Sequence, residues 1–178
     1  RHLIARHESG NAWRKAGGYK QLDPSGHYAD HLNPMVLLAI NTGCRRGELT
    51  QLTWDDISLD RKVLTVRASN TKSGKTRHIP LNREALQVLE AYRSQCSEGR
   101  LFAISRTDRS WVKVVESAGL QDFHFHDLRH TFASKLVMRG VDLNTVRELL
   151  GHGDLKMTLR YAHLAPEHKA AAVDLLMQ

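Results

Sequence analysis

Cysteine is scarce in this chain: there are two in 178 residues, Cys44 and Cys96. Two cannot build a disulfide scaffold, and no CxxC spacing exists to hold zinc. A reducing compartment is the expected home. Aromatic residues make up only 6%, which argues against a stacking platform for single-stranded nucleic acid. No apolar run approaches the ~20 residues that span a bilayer, so no membrane partner is expected. The opening RHLIARHESG carries no apolar stretch behind its charges, and no secretory leader is expected there. It also lacks a methionine, so the chain is expected to be a piece of a longer protein. Internal repeats and low-complexity tracts are missing as well.

What is present is globular in character, with 41% hydrophobic and 25% charged residues. The length suits a single domain, 1–178, with a real core. The balance of 26 Lys+Arg against 19 Asp+Glu leaves a net charge of +7, and a basic surplus favours a polyanionic partner such as nucleic acid.

The patterning is mostly helical. After a loop-rich opening of about 30 residues, with a short helix expected early, NPMVLLAIN (33–41) reads as a buried helix. Pro34 suits its first turn and Gly43 its stop. A second helix is expected over roughly 45–53. The period then changes. ISLDRKVLTV (57–66) and TRHIPL (76–81) are short β-branched runs joined by a turn-rich segment, which predicts a small antiparallel sheet near residues 57–81. Asn82 caps a helix over 83–96, and further helices are expected near 108–118, 126–139, 142–150, 154–161 and 166–178. The expected fold class is therefore α+β, mainly α-helical, with one small antiparallel β-sheet inserted early.

HFHDLRH (124–130) packs three histidines and one arginine into seven residues. On a helix from 126 to 138, Leu128, Phe132, Ala133, Leu136 and Val137 share one arc, and His126 and Arg129 fall inside it. A guanidinium on a core-facing arc is costly unless an anion meets it, and arginine cannot shed its proton. An internal Asp or Glu is the ordinary partner for a lone arginine. Here the free N–H groups and the positive end of the helix dipole act in the same direction, so an external phosphate also fits. His126 and His130 stand at ligand spacing for a metal, but Arg129 beside them makes a dication unfavourable.

TGCRRGEL (42–49) repeats the pattern. Arg45, Glu48, Leu49 and Leu52 would share a helix face, with Glu48 at i+3 to hold Arg45. A plain surface pair worth a few tenths of a kcal/mol would look the same. Lys72 and Lys75 lie in the turn between strands, where a flexible ammonium can reach out. His152 sits between two glycines, and Tyr161 lies near a helix end in LLGHGDLKMTLRYAHL (149–164). Taken singly, these read as an ordinary hairpin, an idle histidine and a core tyrosine.

Taken in order, TGCRRGEL, TKSGKTRHIPL, HDLRHTFAS, LLGHGD and TLRYAHL resemble the tyrosine recombinases, the phage-integrase superfamily. The resemblance spans about residues 31–165. It implies a catalytic domain whose nucleophile is Tyr161. Arg45 and Arg129 match the arginines that clamp the scissile phosphate, and Lys72 matches the lysine of the β-hairpin. His126 matches the histidine of the His-x-x-Arg pair, His152 the later His-or-Trp position, and Glu48 the acidic support of the first arginine. The implied activity is site-specific recombination by DNA cleavage and rejoining through a 3′-phosphotyrosyl link. It requires neither metal nor other cofactor, because the two guanidiniums carry the phosphoryl charge.

The implied partners are double-stranded DNA attachment sites, a homotetramer on DNA when full length, and DNA-bending accessory proteins. The implied location is the cytoplasm of a bacterial or phage-infected cell, at the nucleoid. The N-terminal core-binding domain usual in the family is expected to be absent from these residues. The tail PEHKAAAVDLLMQ (166–178) reads as an amphipathic helix that docks on its own domain or on a neighbour's. A type IB topoisomerase and a non-catalytic DNA-binding module are the rival readings. A phosphate site at Arg129 further implies that Arg129→Ala leaves the domain folded.

Overall fold

The computed structural model describes residues 28, 31–71, 74–94, 99–102, 108–166 and 176, with the backbone alone at 108–109. The early helix, Lys72, Cys96 and the tail helix lie outside them, apart from Pro166 and an exposed Leu176. Seven α-helices and a three-stranded sheet are built from the described residues.

The first helix, α1 (Leu32–Thr42), buries Leu32, Met35, Leu38, Ala39 and Thr42. That is i, i+3, i+4 spacing, so one stripe faces the core. It stops at Gly43, whose φ of 65° lets its N–H return to the Ala39 carbonyl at 2.9 Å. Only glycine fits here, because a Cβ would stand 2.5 Å from Phe132 Cδ1. The second helix is shorter than the expected 45–53: α2 spans only Arg46–Leu49. The reason is competition for backbone groups. The Leu52 carbonyl accepts from Leu101 N–H at 2.8 Å, and Thr53 N–H turns instead to the Asp56 carboxylate at 2.9 Å.

Strands β1 (Ile57–Ser58), β2 (Val63–Val66) and β3 (Arg77–Pro80) form an antiparallel sheet in the order β1-β2-β3. Its register sets Leu64 opposite Ile79 and Val66 opposite Arg77. Period-two alternation therefore sends Arg77 to the buried face beside Ile79. Helix α3 (Arg83–Arg93) is capped by Asn82, which accepts from Ala85 N–H at 2.8 Å. Then come α4 (Asp108–Ser117), α5 (Asp127–Met138), α6 (Leu143–Leu150), α7 (Lys156–Leu159) and a single 3₁₀ turn, Ala162–Leu164.

Two hydrophobic cores result. The larger joins α1, the sheet and α3 with Phe102, Phe125 and Leu128. The smaller joins Ala133 and Val137 of α5 with Val146, Leu150 and Tyr161. Helix α1 packs on both α3 and α5, and β3 touches α6. The expected mainly helical α+β class with one early sheet is what the fold contains. The expected helix over 154–161 is reduced to the one turn of α7 and the 3₁₀ turn after it.

Candidate active site

Arg45 sits in extended conformation (φ −69°, ψ 152°) just before α2. Its N–H donates to Glu48 Oε2 at 2.7 Å and its Nη1 to Glu48 Oε1 at 2.9 Å. Glu48 does more than the i+3 reading supposed. The same carboxylate accepts a forked pair from Arg77, Nη1 to Oε1 at 3.0 Å and Nη2 to Oε2 at 2.6 Å. Glu48 is 2% exposed. Burial alone would push its carboxyl up, but the hydrogen bonds and charge of Arg77, with the donors of Arg45, outweigh that and hold it below the usual carboxylate range. Arg77 also donates from Nε to the Leu149 carbonyl at 3.1 Å. Sequence reading passed over Arg77. The available signal was its place two residues before Ile79 in a strand, which marks a core-facing position.

Arg129 is buried at 2% exposure, as its helical arc requires. Its guanidinium lies between two helix ends, with Nη1 donating to the Gly43 carbonyl at 2.7 Å and Nη2 to the Leu150 carbonyl at 2.6 Å. Both acceptors are C-terminal carbonyls that a helix leaves unpaired. This corrects the view that Arg129 has no internal partner, yet among the described residues no carboxylate pairs with it. Burial and the nearby positive charge of Arg45 push its pKa down to about 10, so it remains a cation at neutral pH. The two arginines therefore feel each other, although they arrive from segments more than 80 residues apart in sequence.

His152 follows Gly151, which ends α6 with φ 65°. Its Nδ1 meets Thr158 Oγ1 at 2.9 Å, and both groups are buried. Burial, then Arg129, Arg45, Arg160 and Arg77, push its pKa down to about 4. This has a consequence for folding. Between about pH 6.5 and 4 the unfolded chain takes up a proton that folded His152 refuses. Stability is therefore expected to decline as pH drops through that window, by roughly 3 kcal/mol. His126 and His130 are lowered too and act in the same direction. Urea midpoints of wild type and His152→Gln, measured across the window, check this. The variant should decline less, and equal declines would clear His152 of the effect.

The three histidines of HFHDLRH separate. His124 is exposed. His126 is exposed as well, contrary to its assigned place on the apolar arc, because it is the residue before α5 rather than part of its buried stripe. It still faces the cationic cluster. Partial desolvation, then His130, Arg129 and Arg45, lower its pKa against the opposing effect of Asp127. His130 was read only as half of a metal pair. Its Nδ1 lies 2.5 Å from the Tyr161 hydroxyl, with the rings 5.9 Å apart and tilted by 50°. The His126 ring meets the His130 ring edge-on at 4.9 Å. Tyr161 is 6% exposed and belongs to the smaller core. Burial raises its phenol pKa, and Arg160 and Arg129 only partly offset that rise.

Arg45, Arg129, His126, His152 and Tyr161 thus share one electrostatic neighbourhood, in which Glu48 holds Arg45 and Arg77. Lys72 lies outside the described residues, and its neighbour in the same turn, Lys75, is exposed. Among the described residues no three His, Cys, Asp or Glu side chains are grouped as metal ligands would be.

A family model described as "Phage integrase family" matches residues 24–168. The integrase of Salmonella phage P22 is 34% identical over 155 residues, covering 77% of this chain and 40% of its own length. The tyrosine recombinase XerC of Pseudomonas fluorescens is 35% identical over 158 residues, covering 81% of this chain and 52% of its own. The solved catalytic domain of bacteriophage HP1 integrase superposes with a TM-score of 0.67 at 35% identity, covering 81% of each chain. The chain spans about half or less of the length of these curated relatives.

Proposed function

The chain belongs to the phage integrase family, and from that premise we propose that its 178 residues are the catalytic domain of a longer tyrosine-type site-specific recombinase. The observation that carries the reading is a buried arginine, Arg129, whose charge acts on both Arg45 and the buried Tyr161, and whose hydrogen-bond acceptors among the described residues are two carbonyls.

A phosphodiester under attack gathers negative charge on its nonbridging oxygens. Guanidiniums bind that charge more strongly as it grows, and they need no metal to do so. In this reading Arg129 and Arg45 clamp the scissile phosphate, and Glu48 fixes Arg45 from behind. His152, with Nδ1 engaged by Thr158, offers Nε2 to a phosphate oxygen. His126, at the exposed mouth beside the arginines, adds a further donor. Lys72 carries a proton to the departing 5′-oxygen. Tyr161 attacks phosphorus, a 3′-phosphotyrosyl link forms, and a 5′-hydroxyl leaves. Attack by a 5′-hydroxyl from another duplex reverses the step without an external energy source.

The proposed partners are double-stranded DNA attachment sites, three further copies on DNA in the full-length protein, and DNA-bending accessory proteins. The proposed setting is the nucleoid of a bacterial or phage-infected cell. Among the described residues no helix is long and apolar enough to cross a membrane.

Incubation with nicked suicide duplexes of randomised sequence, in EDTA, is expected to yield an SDS-stable protein–DNA adduct. Peptide mapping should locate the DNA on Tyr161. Linkage to another residue, or loss of the adduct in EDTA, would sink the reading. Exchange between two marked duplexes separates recombination from topoisomerase action, which only relaxes supercoils.

A further inference from the structure

We infer that His130 is the general base that receives the phenolic proton of Tyr161 as the tyrosyl–phosphorus bond forms, an inference that rests on the recombinase reading above. The resemblance to the family directs attention to His126, but His126 does not touch the nucleophile. It is exposed, and its ring stands perpendicular to that of His130 at 4.9 Å. His152 has Nδ1 on Thr158 and, in the reading above, Nε2 on the phosphate. Among the described residues, His130 is the side chain within hydrogen-bond reach of the Tyr161 hydroxyl, at 2.5 Å. Both groups are held in place. His130 belongs to the second turn of α5, and Tyr161 is packed in the smaller core.

A phenol has one hydrogen to donate, so the short contact is satisfied by a neutral imidazole with its hydrogen on Nε2 and a lone pair on Nδ1. The surroundings favour that form. Partial burial, Arg160 and Arg129 lower the His130 pKa, with Asp127 opposing and the His126 ring alongside. Burial meanwhile keeps Tyr161 protonated at rest. The proton therefore stays on the phenol until bond formation acidifies it. Arrival of a phosphate between Arg45 and Arg129 offsets part of the cationic field that depresses His130, so the base strengthens when substrate is present.

The step balances. Tyr161 Oη bonds to phosphorus, its proton passes to His130 Nδ1, and the bond from phosphorus to the 5′-oxygen breaks. That oxygen leaves with a proton from Lys72 in the mechanism proposed above. In rejoining, imidazolium returns its proton to the departing phenolate.

Single-turnover adduct formation on the nicked randomised duplexes tests this. His130→Ala is expected to slow it by about 10²–10⁴-fold. His130→Gln is the discriminating variant, because its amide oxygen accepts a hydrogen bond from the phenol but cannot take a proton. It should be as slow as alanine, and the acid limb of the wild-type pH–rate profile should vanish. A glutamine variant near the wild-type rate would leave His130 a positioning residue and overturn the inference. Without DNA, ¹⁵N NMR of the free protein at neutral pH should find Nδ1 without a bound hydrogen. A hydrogen on Nδ1 would overturn the inference too. Tyr161→Phe separates the two levels. An adduct that survives it sinks the recombinase reading itself, whereas Tyr161-dependent adducts with fast His130 variants sink only the base.

Discussion

Arg129→Ala is expected to slow covalent adduct formation by a factor on the order of a thousand or more, as loss of a donor to developing oxyanion charge does elsewhere. It should also weaken the fold. The Gly43 and Leu150 carbonyls that Arg129 now satisfies are buried helix ends. Leaving both unpaired costs about 3 kcal/mol, at roughly 1–3 kcal/mol for each buried group. That is a large share of an ordinary domain's stability without exceeding it. The variant should thus be folded at room temperature but melt earlier. Circular dichroism and urea midpoints measure the first effect, and single-turnover cleavage the second. Arg129→Lys keeps the charge and loses the fork, so it should recover little of either. Cleavage within tenfold of wild type would remove Arg129 from the phosphate clamp. A chain that fails to fold would make its role structural.

Glu48→Ala should be the most damaging of the polar substitutions to stability, at about 3–5 kcal/mol, the range for breaking a buried pair by removing one partner. Its carboxylate receives four hydrogen bonds, two from Arg45 and two from Arg77. Removal leaves the Arg77 guanidinium buried and facing no counter-charge. The double variant Glu48→Leu with Arg77→Met provides the control. With both charges gone it should be more stable than Glu48→Ala, because matched apolar groups often replace a buried pair at little cost. Cleavage should still fall in the double variant, since Arg45 loses its anchor. A loss below about 1 kcal/mol in Glu48→Ala would mean water reaches Arg77 after all, and the shared carboxylate would not hold the clamp.

Much of this arrangement was legible in the chain, and the failures have physical causes. The stripe of α1 and its Gly43 stop are local facts, set by spacing and by the steric limits on one residue. Asn82 is a cap that three residues of sequence define, and Asp142, not singled out in the sequence, caps α6 in the same way. The burial of Arg129 followed from its helical arc, but its partners did not, because carbonyls carry no sequence signature. The long second helix failed where residues 99–101 returned to take the backbone groups of Leu52 and Trp54. His126 was misjudged because a helical wheel ignores where a helix begins. The contact of His130 with Tyr161 joins residues 31 apart in sequence, and no period or motif encodes that meeting.

The groups proposed to react do not belong to one core of the molecule. Arg45 precedes α2, Glu48 lies within it and Arg77 lies on β3, beside the larger core, while Tyr161 belongs to the smaller one, and α5 contributes to both. Arg129 and Arg77 are stitched across the boundary between them, through Gly43, Leu150 and Leu149. In the proposed mechanism, alignment of Tyr161 with Arg45 and Arg129 is therefore a property of the seam. A contact that fixes α5 against α1 and α6 at once also fixes, in that mechanism, the distance from Tyr161 to Arg45.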